Sequence, residues 1–211
     1  MMPSVVFLDA NVLYPRTICS WLFLLKKYSG GTLFRLVSSQ DSLIEATYHF
    51  RKSRPAADGD VISRKYALIV ESLDDFMLSF SGDVEYPGKD VDDHHIHAAA
   101  LSCQAKYLVT DDGGFSEIDP DLLPYEVHTS DSFFVLIAEN SPSLVDRVIA
   151  SQLAYFQDKG KEPRLAESLR AAGCPQFACI IETHLERMAK GKSTHDVASR
   201  IEQPELSRRV S

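Results

Sequence analysis

The sequence predicts an open, doubly wound α/β sheet with parallel strands. Short apolar runs alternate with helical patterns from residue 5 to about 129, an order that builds a parallel sheet covered on both faces. The first run, Val5-Val6-Phe7-Leu8, has no polar break, as a strand buried on both faces requires. Acidic residues stand at the ends of two runs (Asp9, Asp112) and in or at the head of two intervening helical patterns (Glu45, Asp93). In such sheets ligands bind in the crevice beyond the carboxyl ends of the strands.

After the first strand, Asn11 to Pro15 turns the chain, and Thr17 or Ser20 is placed to cap a helix through Trp21-Leu22-Phe23-Leu24-Leu25 to Lys27. Gly30-Gly31 breaks it. Leu33 to Val37 reads as strand two. Ser39 or Asp41 then opens a helix carrying Leu43, Ile44, Thr47, Tyr48 and Phe50, with Glu45 in its first turns. Pro55 and Asp58-Gly59-Asp60 form a loop before a long helix from Val61 to Phe76, whose apolar residues Tyr66, Ile69, Val70 and Leu73 recur at helical spacing. A short third strand or extended segment is expected within residues 77–86, and Pro87-Gly88 is a loop.

Asp92 or Asp93 heads the next helix, which runs through Ile96 and Ala98-Ala99-Ala100 to Cys103. Capping and the helix dipole alone favour an acid there, so Asp93 has a structural reading beside a chemical one. Tyr107 to Thr110 is strand four and Tyr125 to His128 strand five. Beyond Thr129 the pattern becomes wholly helical: Asp131 to Glu139, a helix opened by Ser141-Pro142, Arg164 to Ala172 closed by Gly173, and a last one from Pro175 through Met188. Residues 191–211 are polar with scattered charge and read as a frayed tail or a segment ordered only by contact.

Bulk properties are those of a soluble globular chain of 211 residues, 45% hydrophobic and 25% charged. The four cysteines form no C-x-x-C pair and three lie among apolar or small residues, which suits free thiols in a reducing cytoplasm. No run approaches the roughly 18 apolar residues of a membrane span, and Met1-Met2-Pro3 leads into a strand without the pattern of a signal peptide.

Acids gathered from separate segments repel one another unless a hard cation lies between them, and such a cation prefers oxygen ligands. The cluster therefore points to a divalent metal, and the chemistry such sites most often serve is phosphodiester cleavage. The net charge of −8 runs against a nucleic-acid partner, but metal would neutralise several acids. Arg51-Lys52-Ser53-Arg54 and Arg16 offer a local basic patch for a phosphate backbone.

Three blocks carry a family resemblance. Phe7-Leu8-Asp9-Ala10-Asn11-Val12-Leu13-Tyr14-Pro15 is similar to the opening of PIN domains, the nuclease fold of VapC-type toxins. Asp92-Asp93-His94-His95-Ile96-His97-Ala98-Ala99-Ala100 resembles that family's aspartate-headed, alanine-rich helix, and Leu108-Val109-Thr110-Asp111-Asp112 with Phe115 its strand and acidic turn. Glu45 falls where the family places a glutamate. The resemblance implies a three-layer α/β/α fold with four to five parallel strands over residues 1–130. It also implies a helical extension over 131–190, as in one bacterial subgroup, ahead of the 191–211 tail.

Functionally, the resemblance implies a Mg²⁺- or Mn²⁺-dependent endoribonuclease acting on single-stranded or looped RNA. Asp9, Glu45, Asp93 and Asp112 would be the catalytic and metal-holding acids, with Asn11 and Thr110 as polar supports. Water would be the nucleophile, leaving a 5′-phosphate and a 3′-hydroxyl. Arg16, Arg51, Lys52, Arg54 and His97 would meet the RNA. The partner implied is a small antitoxin covering the cleft with a cationic segment; a homodimer is open.

Two departures matter. The turn Asp112-Gly113-Gly114-Phe115 is one residue short and lacks the acid usual before the phenylalanine, a role open to Asp111 or Glu117. The helix also carries three histidines. Residues one apart on a helix diverge by about 100°, so all three cannot ligate one ion; His97, four residues from Asp93, is the one placed to touch metal or phosphate. Two other functions compete. One is a PIN-like scaffold that binds RNA or protein without cleaving it. The other is a phosphatase of the haloacid dehalogenase type, which needs a second Asp where position 11 is Asn.

Overall fold

A computed structural model describes residues 2–201, and for 191–201 only the course of the backbone. Five parallel strands form one sheet in the order β3-β2-β1-β4-β5. They are β1 (Ser4–Leu8), β2 (Phe34–Ser39), β3 (Asp75–Met77), β4 (Tyr107–Val109) and β5 (Glu126–His128). Between the strands run α1 (Ala10–Leu13), α2 (Arg16–Ser29), α3 (Gln40–Ser53), α4 (Gly59–Ser72) and α5 (His94–Ser102). After β5 come α6 (Ser130–Asn140), α7 (Pro142–Asp158), α8 (Leu165–Ala171) and α9 (Pro175–Ile201). No helix among the described residues is long and apolar enough to cross a membrane.

Alternation along the central strands divides the interior into two cores. Val6 and Leu8 of β1 and Phe34 and Leu36 of β2 face a core with α2, α3 and α6 to α9. Phe7, Val37 and Leu108 face the other, packed by Ile96, Ala99 and Ala100 of α5. The layering is α/β/α. The alanines let α5 approach the sheet closely, which fixes the height of its N-terminal end over the strand tips.

The helices beyond residue 129 belong to the first core. Trp21 of α2 meets Phe177 of α9 edge-on, with ring centroids 5.1 Å apart, and Phe34 of β2 meets Phe133 of α6 at 5.8 Å. Deleting one such buried ring costs about 3–5 kcal/mol, a large share of a domain's whole stability. The helices beyond residue 130 thus share a core with the sheet. Buried Asp131, in the first turn of α6, accepts hydrogen bonds from the amides of Gln176 (3.1 Å) and Phe177 (2.8 Å). It caps a helix 45 residues away in the chain and ties α9 to α6.

Several boundaries move from expectation. Pro15 precedes α2, and the residues expected to form a plain turn after Asp9 make the single helical turn of α1. Ser39 is the cap of α3, accepting from Ser42 N at 3.2 Å. The long helix stops at Ser72 and not at Phe76, and the third strand lies at Asp75–Met77, ahead of the expected segment. Asp74 accounts for that. Its amide donates to Leu36 O at 2.8 Å, its carboxylate accepts from Leu36 N at 2.8 Å, and Lys26 pairs with it at 3.0 Å. Those bonds pin the chain to β2 and start the strand. α9 runs past Gly191 to Ile201, into the stretch expected to fray; residues 202–211 of that tail lie outside the described residues.

Candidate active site

The sheet order places the switch in winding direction between β1 and β4, so a crevice opens at their carboxyl ends. Asp9 follows β1 and Thr110 follows β4. Asp9 is 2% exposed and firmly held. One carboxylate oxygen accepts from the Ala10 amide; the other accepts from Asn11 Nδ2 and Thr110 Oγ1, each at 2.7 Å. A carboxylate has about four lone-pair directions, so Oδ1 retains one.

Asn11 and Thr110 lace the two strand ends together. Asn11 Nδ2 also donates to Thr110 Oγ1 at 3.0 Å, and its carbonyl oxygen accepts from Asp111 N at 2.9 Å. Thr110 Oγ1 accepts from Asp112 N at 3.1 Å, which sets the start of the acidic turn. Asp112 Oδ1 then accepts from Gly114 N at 2.8 Å and closes the turn.

Asp93 enters from the other side. It lies in a 3-10 turn, Val91–Asp93, that precedes α5 and is itself capped by Asp90. Its side chain makes no capping hydrogen bond, which leaves the dipole of α5 as the structural reason for an acid there. The carboxylate is buried; Oδ2 accepts no hydrogen bond of good geometry, and the nearby donor is the Tyr86 hydroxyl. Burial pushes its pKa up to about 6, reinforced by Asp112, Asp90 and Asp9 and opposed by His95. Asp9 is also raised, first by burial and then by Glu45, against the hydrogen bonds that favour its ionised form. Glu45 stands on α3, half exposed, 3.5 Å from His49 Nε2.

The acids thus share one field. Among the described residues, no three potential ligand side chains are already gathered round one point in an ion-holding arrangement. Asp93 and Asp112 come nearest: a Cβ on Gly114 would lie 2.5 Å from Asp93 Oδ2 and 3.3 Å from Asp112 Oδ1. Gly114 is therefore the cradle that lets both carboxylates approach the same turn. Oxygen donors alone suit a hard divalent cation, and the Asp93 oxygen lacks the firm partner that such an ion would be. Asp9, Asp93, Asp112 and Glu45 are the residues that could hold it.

The other expectations divide. Arg16, Lys52 and Arg54 are exposed. Arg51 is partly buried and donates to Ala57 O through Nη1, which leaves its other N–H groups for a phosphate. His97 is corrected. It is 3% exposed, its Nδ1 lies 2.6 Å from the Tyr125 hydroxyl, and its ring rests against Tyr86. The i+4 argument failed because Asp93 sits in a 3-10 turn, out of phase with α5. His95, whose Nδ1 bonds Asp92 O at 2.7 Å, is the histidine that stands within the field of Asp9 and Asp93. Asp111, open as a substitute for the missing acid, is turned toward α6, where its oxygens accept from Ser130 N and Oγ at 2.7 Å. Glu117 pairs outward with Lys89 at 3.5 Å.

Tyr86 was not anticipated: its buried hydroxyl lies beside the Asp93 carboxylate, which, after burial, raises its pKa to about 12 through both its charge and its hydrogen bonding. No pattern in the 77–90 loop marks it.

Gly114→Ala offers a local test. The added methyl must displace the Asp93 carboxylate, so the variant should fold with a melting temperature near that of the wild type yet lose most of its Mn²⁺-dependent thermal shift. An unchanged Mn²⁺ shift would refute the cradle.

Comparison with known proteins returns no match: no family model, curated protein or solved structure aligns significantly with this chain.

Proposed function

We propose that the chain is a PIN-like, Mg²⁺- or Mn²⁺-dependent endoribonuclease, acting as the toxin of a type II toxin–antitoxin pair. The observation that carries the reading is the buried Asp93 oxygen, without a well-formed hydrogen bond and facing Asp112 across Gly114 at the switch point of a parallel sheet. A buried carboxylate oxygen without a well-formed hydrogen bond costs a fold stability, and a cation there would offset that cost. A bound divalent cation supplies charge neutralisation at the phosphodiester and a means of deprotonating water near neutral pH.

The protein's part is positioning. Asn11 and Thr110 hold Asp9 in one rotamer. The Thr110–Asp112–Gly114 chain sets the turn opposite, and α5 carries Asp93 between them. Glu45 completes the acidic wall from α3. The field of these acids suits a cationic segment of a small antitoxin lying over the cleft.

Incubation of the purified chain with total RNA, with Mg²⁺ or with EDTA, and mapping of the cut ends tests the reading. Metal-dependent cuts leaving 5′-phosphates support it; intact RNA under both conditions overturns it. A melting temperature indifferent to Mn²⁺ would favour the non-cleaving scaffold.

A further inference from the structure

Four cations crowd together beside the acidic centre without a carboxylate partner. Lys65 of α4 donates to Tyr14 O at 2.6 Å and lies 4.7 Å over the Phe50 ring, and the Arg54 guanidinium lies 5.2 Å over the same ring. Lys52 stands 5.9 Å from the centre of the Tyr48 ring. Arg16, two residues after Tyr14 and exposed, adds to the positive field that, after burial, holds the Lys65 pKa down. Among the described residues none of the four is ion-paired. Like charges crowded in this way call for an anion from outside the protein.

Beside the cations lies a row of rings. Tyr14, at the end of α1, is 36% exposed and Tyr48 is 59% exposed. His49 stands between them, its centroid 5.9 Å from Tyr14 and 5.5 Å from Tyr48. The same His49 pairs with Glu45, so the row abuts the acidic wall. From Glu45 to Lys52 the helix climbs about 10 Å at 1.5 Å per residue. Rings and unpaired cations therefore follow one another along α3, away from the place where a phosphodiester would be cut.

We propose that this ridge is a track for single-stranded RNA, its bases stacking on Tyr14 and Tyr48 and its phosphates meeting Arg16, Lys52, Arg54 and Lys65. The inference rests on the ribonuclease reading for its direction but not for its chemistry. Rings give each base a face to stack on whatever its identity, and cations follow the backbone, which is how unpaired strands are held without sequence reading. A paired duplex keeps its base faces covered and gains only the charge contacts. An apolar protein partner would use Tyr48 and the neighbouring Ile44 but has no need of four unpaired cations.

The test measures binding without cleavage. Fluorescence anisotropy in EDTA follows the full chain with a labelled oligouridine and with a duplex of equal length. Tyr48→Ala and Tyr14→Ala should each weaken oligouridine binding about fivefold to fiftyfold, Tyr48→Phe should restore it, and the duplex should bind more weakly than the single strand. Arg16→Gln and Arg54→Gln should each reduce the slope of log affinity against log salt by about 0.7. Oligouridine affinity unchanged in Tyr48→Ala and Arg54→Gln overturns the track and leaves this face to a protein partner. Ring-dependent binding without any Mg²⁺-dependent cutting would keep the track and remove the nuclease. Cutting that ignores both tyrosines would do the reverse.

Discussion

Asp93→Asn should make the metal-free protein more stable and the enzyme inactive. The wild-type carboxylate is buried, its Oδ2 accepts no hydrogen bond of good geometry, and three other acids oppose its ionisation. Its pKa of about 6 lies above the value near 4 of an unfolded aspartate. Below pH 4 the group is neutral in both states and costs nothing. Between pH 4 and 6 the folded state retains a proton that the unfolded state releases, so stability falls as pH rises and stays reduced above pH 6. Solvent at the rim, beside exposed Asp112, screens part of the effect, leaving about 1–2 kcal/mol at neutral pH. An isosteric amide removes that penalty and can donate toward Asp112. The melting temperature at pH 7.5 in EDTA should rise by about 3–6 °C, and the rise should vanish at pH 4. RNA cleavage should fall on the order of a thousandfold, about 4 kcal/mol of transition-state stabilisation. A destabilised variant that retains activity would mean that Asp93 is structural after all.

Asp9→Asn should lose activity to a similar extent with the opposite effect on stability. Three donors converge on this carboxylate: the Ala10 amide, Asn11 Nδ2 and Thr110 Oγ1. An asparagine can satisfy either the Ala10 side or the Thr110 side with its oxygen, and its NH₂ then faces a donor. Thr110 Oγ1 already accepts from Asn11 Nδ2 and Asp112 N and has no lone pair left for that NH₂, so only the removal of a buried like charge offsets the mismatch. A net loss of about 1 kcal/mol is expected, with RNA binding in EDTA little changed. Denaturant melts and anisotropy measure the two, and cleavage at the wild-type rate, in protein free of contaminating nuclease, would end the proposal.

The divergent stability signs of these two substitutions reflect what sequence could and could not convey. The central strands were legible because Val5 to Leu8 and Tyr107 to Val109 are apolar runs of strand length, and their tips carry Asp9 and Thr110. The places of Asp9 at the end of β1, Asp112 after β4 and Asp93 at the head of α5 followed from sequence order, but among the described residues the acids are not gathered round one point. Whether each acid had a partner did not follow, because that depends on side chains from distant segments: Thr110 for Asp9, no well-formed donor for Asp93 Oδ2. His97 was misjudged because a 3-10 turn changes the phase of α5, and the sequence Val91-Asp92-Asp93 gives no sign of it. The third strand was misplaced because Asp74 ends α4 through bonds to Leu36, a pairing no local pattern reveals. Lys65 was overlooked for the same reason: it joins Arg16 and Arg54 only once α4 lies against α3.

Asp111 grips the start of α6 through Ser130, and Asp131, one residue further on, grips the start of α9. The acidic turn is therefore moored to the far end of the polypeptide by two carboxylates in series. Any proteolytic nick or early stop that removes α9 strips a ring from the hydrophobic interior and slackens that mooring. Under the proposed function, a product lacking α9 should lose RNA cleavage even with every acid of the centre intact.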